Sequence, residues 1–308
     1  MNSDPVPHWH GYYDTDELGE ICRAIQQDTV CSNGNQLHVR VYEQPLSNAP
    51  TVIVAHGLLG YGLSFARFHL PFWRRGWRVV QFDMPGMGES TGPRGAATVD
   101  EMIAAWHEMV AWTTARYDGP RFVAGNAEDG VLAYYALAND PAVAALSVHT
   151  FFEYGDAHAA GWVHPAAQRV IRPLFRLVER VHPRASLPGQ WTIPWRHVFG
   201  GPDDAEYRKH LADDPLSLRR GRVSLGRSLI TPRRPEVPFE ACITPVQVII
   251  SRRNRIWPAS PVRGSAERLG SPSEIIEIDA PHWETSRQFH DDYCVLVIAW
   301  FERWLTSE

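Results

Sequence analysis

The sequence has 308 residues, 44% hydrophobic and 21% charged, so it is long enough to bury a large core and too apolar for a disordered chain. A formal net charge of −5 argues against nucleic acid as a partner, because surfaces that bind DNA or RNA are basic. We see no signal peptide, no apolar run long enough to span a membrane, and no metal-binding spacing among the four cysteines. We therefore expect a soluble cytoplasmic protein without a metal or other cofactor.

Short segments rich in valine and isoleucine alternate with longer amphipathic stretches. This alternation is typical of a mostly parallel sheet covered by helices. The predicted strands are Leu37–Tyr42, Thr51–Ala55, Arg78–Phe82, Arg121–Ala124, Ala145–Phe151, Val246–Ser251 and Glu274–Ile278. The predicted helices are Val99–Tyr117, Gly130–Leu137 and Tyr293–Leu305. The sequence therefore predicts an α/β fold in which helices flank one sheet.

Residues from about 155 to 238 interrupt this alternation. Prolines are frequent there, no clear strand appears, and Pro165–His182 has apolar side chains at helical spacing opposite a row of arginines. Strand signals resume at Val246. We therefore expect one α/β core made of residues 1–154 and 239–308, with residues 155–238 inserted as a helical cap.

Three junctions between a strand and the following loop are candidates for chemistry. The first strand ends in His56-Gly57-Leu58, where glycine allows backbone N–H groups to turn toward a ligand and form half of an oxyanion hole. The second junction is the glycine-rich loop Asp83–Gly88. The third, Gly125-Asn-Ala-Glu-Asp129 before Gly130, joins a strand to a helix almost directly. Such a turn exposes its middle residue beside the positive end of the helix.

In this order and spacing the three junctions resemble the α/β-hydrolase superfamily, and Ser90–Gly95 is similar to the same segment of monoacylglycerol lipases and lysophospholipases. The resemblance implies an α/β-hydrolase fold with a nucleophile elbow and a relationship to carboxylic ester hydrolases. It places the nucleophile position at Ala127 and the second glycine of the motif at Asp129. It also implies that the backbone N–H groups of Leu58 and Glu128 form the oxyanion hole. Alanine has no nucleophilic atom, so the acyl-enzyme route through this position is closed.

The same resemblance places the catalytic histidine at His282, after the last predicted strand. The acid position falls on Asn254, and an amide cannot stabilise an imidazolium as a carboxylate does. Some members of the superfamily take their acid from the loop after the strand that follows the elbow, where this chain has Glu153 and Asp156. Glu153 is therefore the alternative partner of His282.

Two explanations of Ala127 are open: an engineered Ser→Ala change in a working hydrolase, or a natural protein that lacks the serine. Asp129 and Asn254 favour natural divergence, because one engineered change accounts for neither. A diverged protein is either a non-hydrolytic catalyst, with His282 as a base for proton transfer, cyclisation or elimination, or a ligand-binding pseudo-hydrolase. Glu128 and Asp129 are further candidates for a carboxylate acid or base.

Aromatic side chains in the insertion and the site loops predict an apolar pocket suited to a mid-sized acyl or polyketide-like molecule. These are Trp162, Trp191, Trp195, Trp257 and Trp283. The insertion also has more basic than acidic residues, which leaves an anionic substrate open, although pairing at the surface accounts for the arginines equally well. A small molecule is thus the expected partner, with no nucleic acid and no membrane span.

Overall fold

The computed structural model describes residues 7–154, 165–189, 195–200 and 204–305. The strands in chain order are β1 (Ile25–Ser32), β2 (Asn35–Tyr42), β3 (Thr51–Val54), β4 (Arg78–Phe82), β5 (Arg121–Asn126), β6 (Ala145–His149), β7 (Ser186–Pro188), β8 (Arg220–Arg222), β9 (Val246–Ser251) and β10 (Ser273–Ile278). Eight of them form one sheet in the order β1-β2-β4-β3-β5-β6-β9-β10. The six strands from β4 to β10 in this order are parallel, whereas β2 is antiparallel to both of its neighbours.

Helices cover this sheet. They are α1 (Thr15–Ala24), α2 (Ala66–Arg74), α3 (Val99–Arg116), α4 (Glu128–Leu137), α5 (Pro165–Val181), α6 (Trp195–Val198), α7 (Asp204–Asp213), α8 (Val223–Leu229), α9 (Ala259–Ala266) and α10 (Arg287–Glu302). Short 3₁₀ helices span Pro7–Gly11, Gly62–Phe65 and Phe239–Ala241. Helix α3 packs against α4, and α2 packs against α10. None of the described helices is long and apolar enough to cross a membrane.

The central strands are buried along their whole length. Every residue of β3, β4, β6 and β9 is buried, which is the pattern of parallel strands covered by helices on both faces. Their sequences are mostly apolar and lack a regular polar–apolar alternation for the same reason. Because these strands are parallel, the loops at their carboxyl ends meet at one edge of the sheet, where ligands of open α/β sheets bind.

The predicted α/β architecture is confirmed, and all seven predicted strands are present. Strand β1 was not predicted, and the strand predicted to reach Phe151 ends at His149. The expectation of no strand within residues 155–238 was wrong, because β7 and β8 form a separate antiparallel pair. The division into a core and a helical cap stays a prediction.

Candidate active site

The turn between β5 and α4 has the backbone geometry of a nucleophile elbow. Ala127 has φ 55° and ψ −129°, a sparsely populated backbone conformation that costs a non-glycine residue about 1–3 kcal/mol. Two glycines allow the strand and the helix to approach: a Cβ on Gly125 would lie 2.4 Å from the Cα of Gly130. The fold therefore keeps a strained, closely packed turn at a residue that has no nucleophilic atom.

The second junction anchors the loops beside this turn. The buried Asp83 carboxylate accepts hydrogen bonds from the backbone N–H groups of Gly62, at 2.7 Å, and Glu89, at 2.9 Å. The Arg40 guanidinium lies 3.4 Å from the same carboxylate and, as a neighbouring positive charge, helps to hold the pKa of Asp83 below its usual range against the effect of burial. Asp83 is thus a structural residue that fixes the chain after the His56–Leu58 junction.

A small cavity of about 40 Å³, partly open to solvent, lies over the elbow. Apolar side chains form most of its wall: Leu59, Phe65, Phe199, Ile256, Trp257 and Trp283. Four of the predicted site residues also line it: Leu58, Ala127, Glu128 and His282. Trp162, Trp191 and the side chain of Trp195 lie outside the described residues. The structure therefore brings the elbow, the first junction and His282 to one apolar cavity.

The two predicted oxyanion-hole residues meet at this cavity. Glu128 is the first residue of α4, a position whose N–H group has no partner within its own helix. The N–H group of Leu58 makes no hydrogen bond to the backbone of the described residues. Both amides are thus available to a carbonyl oxygen of a ligand, and their role as oxyanion donors stays a prediction.

His282 is buried after β10, and its Nδ1 lies 3.0 Å from Nδ2 of Asn254. Burial lowers the pKa of His282 well below its ordinary value, and the nearby His149 lowers it further. The ring of Trp257 lies 5.1 Å from the His282 ring, centroid to centroid. His282 is therefore an uncharged imidazole at neutral pH.

Glu153, the alternative partner, does not contact His282. Its carboxylate lies 3.0 Å from the guanidinium of Arg268 and 4.0 Å from that of Arg234. The alternative pairing of Glu153 with His282 was therefore wrong, because the Glu153 carboxylate interacts with the two arginines instead. Asp156, from the same loop, lies outside the described residues.

Two polar residues of the pocket carry features that the sequence analysis missed. Glu128 is 3% exposed, and the hydroxyl of Tyr154 donates a hydrogen bond to its carboxylate. Burial raises the pKa of Glu128 to about 7, and the hydrogen bond from Tyr154 opposes the shift. Asn126 also lines the pocket, and neither polar atom of its buried carboxamide has a hydrogen-bond partner among the described residues. No local sequence signal links Tyr154 to the elbow, whereas Asn126 belongs to the elbow motif itself.

Asp129 is fully buried at the position where the elbow motif has a small residue. Within the described chain neither of its carboxylate oxygens has a hydrogen-bond partner. Burial, together with the neighbouring Glu128, raises the pKa of Asp129 well above its ordinary value. Burial therefore favours the neutral carboxylic acid form of Asp129 in the folded protein.

The residues that the structure describes contain no group of three His, Cys, Asp or Glu side chains arranged to hold a metal ion.

Replacing Asp129 by asparagine is expected to stabilise the protein at neutral pH. The carboxyl keeps its proton in the folded protein but ionises in the unfolded chain above its ordinary pKa of 3.8. The parent therefore loses up to ~1.4 kcal/mol of unfolding free energy per pH unit above that value, until the pH passes the raised pKa. The amide of the Asp129→Asn variant cannot ionise, so in denaturant titrations its advantage widens as the pH rises above 3.8, until the raised pKa of the parent carboxyl is reached. The exposed control Asp118→Asn should show no such widening, and a gap that is independent of pH would contradict the assignment.

Comparison with known proteins gives one family and many similar folds. A model of a hydrolase family described as serine aminopeptidase, S33, matches residues 47–280. No curated protein sequence matches the chain. Among solved structures, DcsB in complex with its substrate analogue has a TM-score of 0.72 and 14% identity, and the alignment covers 92% of this chain and 100% of that one.

Two lipases have similar structures. Monoacylglycerol lipase from Paleococcus ferrophilus has a TM-score of 0.67 and 19% identity, with 86% of this chain and 99% of that chain covered. A soluble variant of monoglyceride lipase from Saccharomyces cerevisiae, in complex with a substrate analog, has a TM-score of 0.70 and 15% identity, with 92% and 96% covered. At these identities the similarity establishes the α/β-hydrolase fold, as the resemblance implied.

Proposed function

The chain belongs to the serine aminopeptidase S33 family of hydrolases, and from this premise we propose that it catalyses proton transfer on a mid-sized apolar carbonyl compound without forming a covalent intermediate. One observation carries the proposal. Two groups suited to proton chemistry, Glu128 and His282, line the same pocket as Ala127, a residue that offers no nucleophile.

The proposed oxyanion hole suits the charge that develops in such a reaction. A carbonyl oxygen at the backbone N–H groups of Leu58 and Glu128 gains negative charge when a proton leaves the neighbouring carbon. The carbon–hydrogen bond breaks, the proton passes to a base of the pocket, and the electron pair moves onto the carbonyl oxygen as an enolate. Return of the proton to carbon closes the cycle, so no oxidant, reductant or cofactor is required.

Glu128 has the properties of the base. Its pKa of about 7 keeps it partly ionised at neutral pH while leaving it basic enough to accept a proton, which is the optimum for general base catalysis. The hydroxyl of Tyr154 stabilises the ionised form by its hydrogen bond. Asp129 is less suited to the role, because it is fully buried and is not among the residues that line the pocket.

The walls of the pocket favour an acyl or polyketide-like substrate. Aromatic and aliphatic side chains, Trp257 and Trp283 among them, offer an apolar surface to a chain or a ring. The unpaired carboxamide of Asn126 offers one further polar contact, because a buried amide without a partner gains a hydrogen bond when the ligand supplies one. We therefore propose a substrate with a second hydroxyl or carbonyl group besides the reacting carbonyl.

The proposal is tested by deuterium exchange. The protein is incubated in D₂O with medium-chain acyl thioesters, lactones and alkyl ketones, and mass spectrometry follows both the small molecules and the intact protein. We expect deuterium on the carbon next to the carbonyl and no added mass on the protein. A stoichiometric acyl adduct would contradict the non-covalent mechanism. Binding without exchange would favour the ligand-binding pseudo-hydrolase, the alternative that the missing nucleophile also supports.

A further inference from the structure

The side chain of Asn254 is held in one orientation by the backbone. Its Oδ1 accepts hydrogen bonds from the N–H groups of Ile256, at 2.9 Å, and Trp257, at 3.1 Å. Backbone N–H groups only donate, so the amide atom that faces them is the oxygen. Turning the amide over would place its NH₂ group against two donors in a buried site. The NH₂ group of Asn254 is thereby directed toward His282.

This orientation determines where the His282 proton lies. Nδ2 of Asn254 is 3.0 Å from Nδ1 of His282, and an amide nitrogen only donates hydrogen bonds. Nδ1 must therefore accept, which means that it carries no proton. An uncharged imidazole then carries its single proton on Nε2. In a serine hydrolase triad the carboxylate imposes the opposite tautomer, with the proton on Nδ1 and a free lone pair on Nε2.

The neighbours of His282 leave this arrangement undisturbed. The His149 ring lies 5.1 Å from the His282 ring, centroid to centroid, and its own Nε2 is engaged by the Oγ of Ser251 at 2.9 Å. Since Nδ1 of His282 is held by Asn254, Nε2 is the ring nitrogen left for the pocket that His282 lines. No described carboxylate lies within salt-bridge distance of the ring.

We propose that Asn254 is a positioning residue that holds His282 as a hydrogen-bond donor to the substrate carbonyl, and that the base of the reaction is Glu128. This reverses the expectation that His282 is the base. The tautomer follows from the geometry alone, whereas the carbonyl substrate and the role of Glu128 as base rest on the proposed function. When the carbon–hydrogen bond breaks, the proton passes to the Glu128 carboxylate. The Nε2–H of His282 then stabilises the enolate oxygen without giving up its own proton, as a neutral imidazole can.

Nitrogen NMR of the full-length protein labelled at histidine tests the tautomer directly. Its His282 signals are assigned by their loss in His282→Gln. In the parent we expect a protonated, pyrrole-like Nε2 and an unprotonated, pyridine-like Nδ1. In Asn254→Asp the two nitrogens should exchange these signatures, because a carboxylate accepts a proton-bearing Nδ1.

A matched control is Asn126→Asp, which introduces a carboxylate into the same pocket at a residue that does not contact Nδ1. It should leave the parent pattern unchanged. A parent spectrum with the proton on Nδ1 would overturn the inference, and this result does not depend on whether Asn254→Asp folds. Because the tautomer is read without a substrate, absence of deuterium exchange would count against the proposed function and its base, and would leave the assignment of the His282 tautomer standing.

Discussion

Ala127→Ser alone is expected to leave ester hydrolysis near the level of the parent, whereas Ala127→Ser combined with Asn254→Asp is expected to hydrolyse esters about 10³- to 10⁴-fold faster than the single variant. A serine at position 127 needs a lone pair on Nε2 of His282 to take its proton. Asn254 keeps a proton on that nitrogen, because its NH₂ group occupies Nδ1. An amide in place of the triad carboxylate lowers kcat of serine hydrolases about 10⁴-fold for this reason.

The comparison uses four proteins: the parent, each single variant and the double variant. Asn254→Asp alone is the matched control, since it supplies the required tautomer but no nucleophile, and it should give no burst of product. The two changes should therefore be strongly non-additive. Circular dichroism of each protein separates a loss of fold from a loss of function. Equal rates in the single serine variant and the double variant would show that Asn254 does not limit His282.

Glu128→Gln is expected to lower the rate of deuterium exchange by about 10²- to 10⁴-fold, because it removes the base of the proposed reaction while keeping the shape of the side chain. In the parent the rate should rise with pH and level off above about 7, the value to which burial raises the pKa of Glu128. The rate rises with pH because the Glu128 carboxylate can accept a proton only when it is ionised. Initial rates across this pH range measure both effects.

Tyr154→Phe provides the matched control for this prediction. It removes the hydroxyl that stabilises the Glu128 carboxylate, so the pKa of Glu128 should rise and the rate profile should shift to higher pH without loss of the plateau. A profile that stays in place would mean that another group limits the rate. A Glu128→Gln variant with parental exchange would exclude Glu128 as the base.

Most of the fold was predictable because parallel strands covered on both faces leave a strong apolar signal. Strand β1 was not, because it lies at the edge of the sheet and four consecutive polar residues, Gln26 to Thr29, hide its apolar signal. A local clue to it was present. Asn33-Gly34 joins β1 to β2 with φ of 47° and 78°, the left-handed geometry that an Asn-Gly hairpin turn favours. Strands β7 and β8 have only three residues each, too few for a periodic pattern.

The candidate site, like the fold, was predictable only in part. Leu58, Ala127 and His282 were predictable as neighbours, because each follows a strand of the parallel part of the sheet and those ends share one edge. The direction of the Asn254 amide was not predictable, since it depends on two backbone N–H groups in a folded loop. The contact of Tyr154 with Glu128 likewise joins residues 26 positions apart. Such contacts follow from tertiary packing and leave no local pattern.

The most direct test of the account is the pre-steady-state burst of p-nitrophenol from short- and medium-chain p-nitrophenyl esters in the two serine variants. The account predicts a burst from Ala127→Ser with Asn254→Asp and none from Ala127→Ser alone, because only the former leaves a lone pair on Nε2 of His282. A full burst from Ala127→Ser alone would contradict it. The chain would then be a serine hydrolase disabled at one residue, with His282 already in the tautomer of a base.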